Sequence, residues 1–178
     1  MFIIPGVIIS IATFPGVIVH ELAHQLFCRL FRVPVYEVCY FRFQNPCGYV
    51  MHEPVKDPFK NLMISVGPFL LNSLLGILIV FPAAIEVLEF GNYGNPLYLL
   101  LAWLGISILM HSFPSTGDAE SLYQSVIRNK SVRIWTKILV LPVVGLIYAG
   151  AFGSIFWLDF VYAIVVAMLV PNLIVNLL

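Results

Sequence analysis

The sequence predicts an all-α integral membrane protein with about five transmembrane helices and a short cytoplasmic-side β-hairpin between helices 1 and 2. Apolar residues make up 61% of the 178 residues and charged residues only 10%, with a mean hydropathy of +0.98. Soluble domains are nearer one half apolar. Runs long enough to cross a hydrocarbon core of about 30 Å cover residues 2–27, 61–83, 97–113, 137–157 and 160–178.

Basic residues predict the orientation of these runs. Eight of the nine Lys and Arg residues lie between the first and second runs or between the third and fourth, and the ninth, Lys137, is the first residue of the fourth run. Because cytoplasmic loops collect basic residues, we expect a multi-pass protein with its N-terminus outside and its C-terminus inside. No basic segment precedes the first run, so that run is expected to be retained rather than cleaved as a signal peptide. The expected partners are the lipid bilayer and membrane-embedded polypeptides, and no nucleic acid.

The segment between the first two runs predicts the hairpin, over residues 33–53. Its first part, VPVYEVCYFRF, is rich in β-branched and aromatic residues, and NPCG then supplies turn residues before YVMHE. Such a hairpin is either a structural flap or an edge that an extended peptide can join as an added strand.

A break follows the third run. Pro114 and Gly117 are expected to end that run, and Ser115 or Thr116 can cap a short cytoplasmic helix. The predicted organisation is therefore a core over residues 1–120, a short helix or loop over 121–136, and two C-terminal transmembrane helices over 137–178.

The first run contains the pentad HELAH, from His20 to His24. Residues four apart share one helix face, so both imidazoles can reach one ion while Glu21 lies close enough to hold a water. Zinc suits imidazole ligands, and a catalytic zinc site keeps one position open. Ionisable residues within spans are costly and usually functional. The alternatives are a histidine pair hydrogen-bonded to neighbouring helices, and haem ligation, which leaves Glu21 unexplained.

A zinc site needs a third protein ligand, and Asp118 is the first candidate. It follows the Pro/Gly break and is expected on the same side of the membrane as His24. The other interpretation is that its carboxylate only complements a helix N-terminus. His111 and Glu120 are the alternative third ligands. The weaker candidates are the hairpin residues His52 and Glu53.

Three motifs resemble the site-2 protease clan of intramembrane zinc metalloproteases, especially its small relatives without a PDZ domain. They are HELAH in the first run, SVGPFLLNSLLG in the second and FPSTGD after the third, and the resemblance covers roughly residues 1–120. It implies one Zn²⁺ per chain, with metal ligands His20, His24 and Asp118. It also implies that Glu21 is the catalytic residue. The substrate-binding residues that it implies are Gly67, Pro68 and Asn72.

The resemblance and the pentad together predict a zinc-dependent endopeptidase. Its substrate would be a peptide bond in or near the transmembrane segment of another protein. The first alternative is a non-proteolytic zinc-binding scaffold, which has no need of a base at Glu21. The second is a small transporter, although apart from Glu21 the interiors of the predicted spans contain no acidic or basic residue.

Overall fold

A computed structural model describes residues 6–177, which are mostly helical with one two-stranded antiparallel sheet. The seven α-helices within this range are α1 (Gly6–Ala12), α2 (Phe14–Leu30), α3 (Pro58–Ala83), α4 (Pro96–Met110), α5 (Thr116–Leu122), α6 (Ile134–Gly153) and α7 (Leu158–Leu177). The strands are β1 (Val35–Cys39) and β2 (Tyr49–His52). The helical class and the hairpin between the first two apolar runs are thus confirmed.

The first predicted span is not one straight helix. α1 and α2 meet at an angle of 90° around Thr13, because Pro15, in the first turn of α2, has no N–H to continue the preceding helix and its ring blocks the carbonyl behind it. Residues 2–5 of the predicted run lie outside the described residues.

Helices α2, α3 and α4 form the central layer, with α3 antiparallel to both neighbours. Gly76 and Gly105 lie where α3 crosses α4: a Cβ added at Gly105 would be 2.6 Å from the Cβ of Val80. Small residues permit this close approach of two backbones, as in many membrane helix pairs.

Helix α5 continues the direction of α4 along α3. The amide of Asn61, near the start of α3, donates to Ser121 and Ser125 at 3.1 and 2.6 Å. A short π-helical segment, Tyr123–Ile127, extends α5. The N-cap predicted at Ser115 or Thr116 is confirmed at Ser115, so the helix begins at Thr116, before the segment 121–136 that was assigned to a short helix or loop.

Helices α6 and α7 do not form the antiparallel pair that the five-span prediction requires. Tyr148 of α6 contacts Glu120, and Gly150 faces Phe113, so α6 runs antiparallel to α5. Tyr162, near the start of α7, packs against Phe113 just after α4, and Ala167 and Met168 share a small cavity with Ala102 of α4, so α7 runs antiparallel to α4. The two helices follow each other in one direction, separated by a short 3-10 turn and by Trp157 in a left-handed conformation.

Two helices among residues 6–177 are long and apolar enough to cross a membrane, Pro58–Val87 and Ile134–Phe156. The bent pair α1 and α2 would make a third if it is one span. The five predicted spans are therefore not confirmed: α4 has only 15 residues, which at about 1.5 Å per residue is shorter than a hydrocarbon core. Residue 178 of the last predicted run lies outside the described residues.

The hairpin pairs β1 with β2, with Val38 opposite Val50 and Cys39 opposite Tyr49, and an irregularity between Val35 and Glu37. The hydroxyl of Tyr49 donates to the carboxylate of Glu37, which raises the pKa of Tyr49. Tyr49 therefore remains a donor at neutral pH. The hairpin packs against α2 and brings its connecting loop over the middle of that helix.

Candidate metal centre

Helix α2 presents both histidines of the pentad on one face. The ring centroids of His20 and His24 are 4.8 Å apart, as expected for residues four apart in a helix. Glu21 lies on the same helix and is 8% exposed, as is His24. The polar side chains of the pentad are therefore buried at Glu21 and His24 and partly buried at His20.

Hydrogen bonds to two main-chain carbonyls orient the imidazoles. Nδ1 of His20 lies 2.7 Å from the carbonyl oxygen of His111, and Nδ1 of His24 lies 3.1 Å from that of Ile64. A carbonyl oxygen only accepts, so each Nδ1 carries the proton and donates it. In a neutral ring the lone pair of Nε2 is then free to bind a metal. Most histidine metal ligands likewise donate their other ring N–H to a carbonyl, a carboxylate or a water.

Asp118 uses its two carboxylate oxygens differently. Oδ2 accepts from the backbone N–H of Ser115 at 2.8 Å and from its hydroxyl at 2.7 Å, completing a capping box at the start of α5. Oδ1 lies 3.6 Å from Nε2 of His24. One carboxylate oxygen therefore caps α5 while the other faces the histidines, so the capping role leaves an oxygen available for the predicted role as a ligand.

The break between α4 and α5 frees two backbone groups that orient the candidate ligands. In an unbroken helix the N–H of Ser115 would donate to the carbonyl of His111. Because α4 ends at Met110 and Pro114 follows, that carbonyl is free to accept from His20 and the N–H is free to donate to Asp118. The α4–α5 break therefore helps to orient one histidine as well as the carboxylate.

The three side chains fit a zinc ion by their chemistry. One ligand atom each from His20, His24 and Asp118 lies within 4.8 Å of the others. Two nitrogens and one oxygen at zinc distances near 2.1 Å would be about 3.4 Å apart in a tetrahedron, leaving a fourth position open. In the part of the chain that the structure describes, this is the one group of its kind. Ligation of zinc itself stays a prediction.

A cavity of about 770 Å³ opens onto the group. It is lined by the three candidate ligands, by Glu21, by the hairpin loop and by the junction of α6 with α7. Gly48 in the loop lies directly over Glu21: an added Cβ would be 2.6 Å from Cγ and 3.0 Å from Oε1 of that residue. The carboxylate of Glu21 thus faces a space large enough for a peptide segment and water.

The other residues considered as a third ligand are not grouped with His20 and His24. Nε2 of His111 is hydrogen-bonded to the hydroxyl of Thr13 at 2.8 Å, although His111 lines the cavity. Glu120 is exposed, and its carboxylate accepts from Gln124 and Tyr148. His52 lines the cavity, while its Nδ1 donates to the carbonyl of Glu53 at 2.9 Å. The residues grouped with the pentad histidines therefore include Asp118 and none of these.

The residues predicted to bind substrate lie away from the cavity. Gly67 and Pro68 are buried, and a Cβ added at Gly67 would be 2.5 Å from the ring of Phe27. Asn72 is 0% exposed and donates to backbone carbonyls. None of the three lines the cavity: Gly67 faces α2, Asn72 faces α2 and α4, and Pro68 is buried. Their positions therefore do not support direct substrate contact.

Several groups at the site were not predicted from the sequence. The sequence could not indicate that the carbonyls of His111 and Ile64 orient the histidines, because every residue has a carbonyl. Ser154 and Asp159 line the cavity from the α6–α7 junction, whereas the sequence predicted Ser154 within the fourth run and Asp159 in the outer connection that follows it. The sequence predicted a cap at Ser115 or Thr116, and the S-x-x-D spacing of Ser115 and Asp118 could also have predicted their reciprocal capping box.

Comparisons with family models, with curated proteins and with solved structures gave no match. The resemblance to the site-2 protease clan therefore depends on the three motifs, and it stays an interpretation.

Proposed function

We propose that this protein is a membrane-embedded zinc-dependent endopeptidase. The observation that carries the proposal is the convergence of His20, His24 and Asp118 within 4.8 Å, with Glu21 in the same cavity. A histidine pair that only stabilised helix packing would need neither a carboxylate facing its free nitrogens nor a second carboxylate beside a cavity.

The membrane setting follows from the apolar helices. Pro58–Val87 and Ile134–Phe156 are long and apolar enough to span a bilayer, and large apolar side chains such as Leu74, Leu139 and Leu146 are exposed on them. These faces suit lipid chains. We propose a multi-pass protein whose cavity opens to the cytoplasmic side, where the nine basic residues of the sequence lie.

The reaction we propose is hydrolysis of a peptide bond. Zinc held by the three ligands would polarise the scissile carbonyl and lower the pKa of a water towards neutrality. Glu21 would accept a proton from the attacking water and transfer it to the leaving amine. His111 and Ile64 keep the two imidazoles oriented through their carbonyls, and Ser115 keeps Oδ1 of Asp118 turned towards His24.

The substrate we propose is a segment of a membrane protein that has been unwound into an extended strand. A helix shields its carbonyls in hydrogen bonds, so the bond must be exposed before attack. In the two-stranded sheet each strand has one edge without a partner strand among the described residues, and an extended peptide can pair with such an edge.

The test begins with zinc per chain in detergent-purified protein. Wild type is expected to hold about one zinc, and His24→Ala and Asp118→Ala much less, because each removes a ligand. Glu21→Gln should keep the zinc and lose cleavage of reconstituted transmembrane peptides, since the amide cannot accept the water's proton.

Three results would count against the proposal. Wild type without zinc after reconstitution would remove the metal centre. Zinc with cleavage by Glu21→Gln at the wild-type rate would remove Glu21 from the mechanism. Zinc in wild type with no cleavage of any membrane peptide would favour a non-proteolytic zinc-binding scaffold.

A further inference from the structure

Asn72 is an unusual residue for its position in the molecule. It lies in the middle of α3, is 0% exposed, and its Oδ1 has no hydrogen-bond partner among the described residues. A buried polar atom without a partner is unfavourable for folding. Helix packing alone would be served as well by an apolar side chain of similar size, so the amide of Asn72 needs another explanation.

The amide nitrogen of Asn72 points to the α4–α5 break. Its best hydrogen bond goes to the carbonyl oxygen of His111, at 2.9 Å. Longer contacts of 3.4 Å reach the carbonyls of Gly16 and Ile108. Three carbonyls on one nitrogen identify the donor end of the side chain. Asn72 therefore links α3 to both α2 and the end of α4.

The carbonyl of His111 is also the acceptor for Nδ1 of His20, at 2.7 Å. This one oxygen thus accepts two hydrogen bonds, one from Nδ1 of His20 and one from the amide nitrogen of Asn72. His111 follows the last residue of α4, so no later residue of that helix holds its carbonyl in a regular i to i+4 bond. The side chain of His111 is held separately, through the hydroxyl of Thr13.

We propose that Asn72 is a positioning residue for the metal centre: by holding the carbonyl of His111, it keeps the imidazole of His20 turned with Nε2 towards Asp118 and His24. Asn72 touches neither metal nor substrate in this role. The inference rests on the metal centre of the proposed function, and it does not depend on hydrolysis.

The three carbonyls keep other donors when the amide is removed. The carbonyl of His111 still accepts from Nδ1 of His20, and the carbonyl of Ile108 still accepts from the N–H of His111 at 3.2 Å. The carbonyl of Gly16 lies within α2, where it accepts from the N–H four residues later. Asn72→Leu is similar in size and removes the unpartnered Oδ1. We therefore expect the metal-free variant to be at least about as stable as wild type, while its zinc site is weakened.

The experiment measures zinc affinity by competition with a chromophoric chelator, together with thermal unfolding of the metal-free protein in detergent. Asn72→Leu is expected to weaken zinc binding by about 10- to 100-fold, as losses of outer-shell partners do. Asn72→Ala is the second variant, and is used if leucine prevents folding. Ser73→Ala is the matched control, because it removes a bond between helices, Ser73 to Tyr162 at 2.6 Å, from the next residue of α3.

The outcomes separate the two proposals. Tight binding in wild type, loss with the folded Asn72 variant and retention in Ser73→Ala support the positioning role. Unchanged affinity in the folded Asn72 variant, or equal weakening in Ser73→Ala, overturns it while leaving the metal centre intact. Wild type that binds no zinc overturns the metal centre, and the role of Asn72 with it.

Discussion

At the scale of single residues, each candidate ligand is oriented by a second group. His20 and His24 donate to carbonyls, and Asp118 accepts from Ser115. The spacing of the histidines predicted that they share a helix face, since that depends only on helical periodicity. Their orientation was not predictable, because the carbonyls belong to residues 40 and 91 positions away.

Ser115 gives a prediction at this scale. Ser115→Ala removes the hydroxyl that binds Asp118, so it should cost about 1 kcal/mol of unfolding free energy, as for other N-caps, and should weaken zinc binding about tenfold or more. The measurements are thermal unfolding and zinc affinity.

Asn95→Ala is the matched control for Ser115→Ala. The side chain of Asn95 caps α4 by accepting from the N–H of Leu97 at 3.0 Å, and it does not line the cavity. The control should lose similar stability and keep the affinity of wild type. Equal affinity in both variants would mean that Ser115 does not orient Asp118.

At the scale of elements, glycines determine how closely the helices approach. Gly105 of α4 lies against Val80, with the nitrogen of Val80 2.8 Å from where a Cβ would stand. Backbone atoms cannot move aside as a flexible side chain can. The α3–α4 crossing in turn brings the carbonyl of His111 to Asn72 and His20. Element existence was predicted well by hydropathy, whereas the bend at Thr13 was not.

A glycine pair tests this crossing. Gly105→Ala should destabilise the protein by about 1–3 kcal/mol, because the added methyl overpacks a close contact. Gly145→Ala is the control: Gly145 lies in α6 with nothing within 4 Å of an added Cβ, and alanine there should be neutral or gain up to about 1 kcal/mol. Thermal unfolding in detergent compares them, and equal stability of the two variants would contradict the assigned packing.

At the scale of the whole molecule, α6 and α7 point in the same direction, antiparallel to α5 and α4. α6 passes α5 and α7 passes α4, so the end of α7 lies towards the connection between α3 and α4. Hydropathy predicted that the last two runs are spans joined by a turn and antiparallel to each other. The structure instead packs α6 against α5 and α7 against α4, so the two helices are not antiparallel.

This path predicts the location of the C-terminus. A cysteine added after the last residue should be labelled by a membrane-impermeant reagent from the same side as Asn92→Cys, and from the side opposite Asn129→Cys, in a background without the native cysteines. The five-span prediction expects the added cysteine on the side of Asn129. Labelling there would contradict the path of α6 and α7.

The sequence by itself determined what depends on neighbouring residues: the apolar helices, the hairpin, the shared face of His20 and His24, and the helix break before Asp118. These follow from periodicity, turn residues and hydropathy, which are local. Only the tertiary structure decided that the break faces the pentad, that Asn72 holds the carbonyl beside His20, and that α6 and α7 do not form a hairpin. Each of these depends on contacts between distant segments, where packing against a particular neighbour determines the path of the chain.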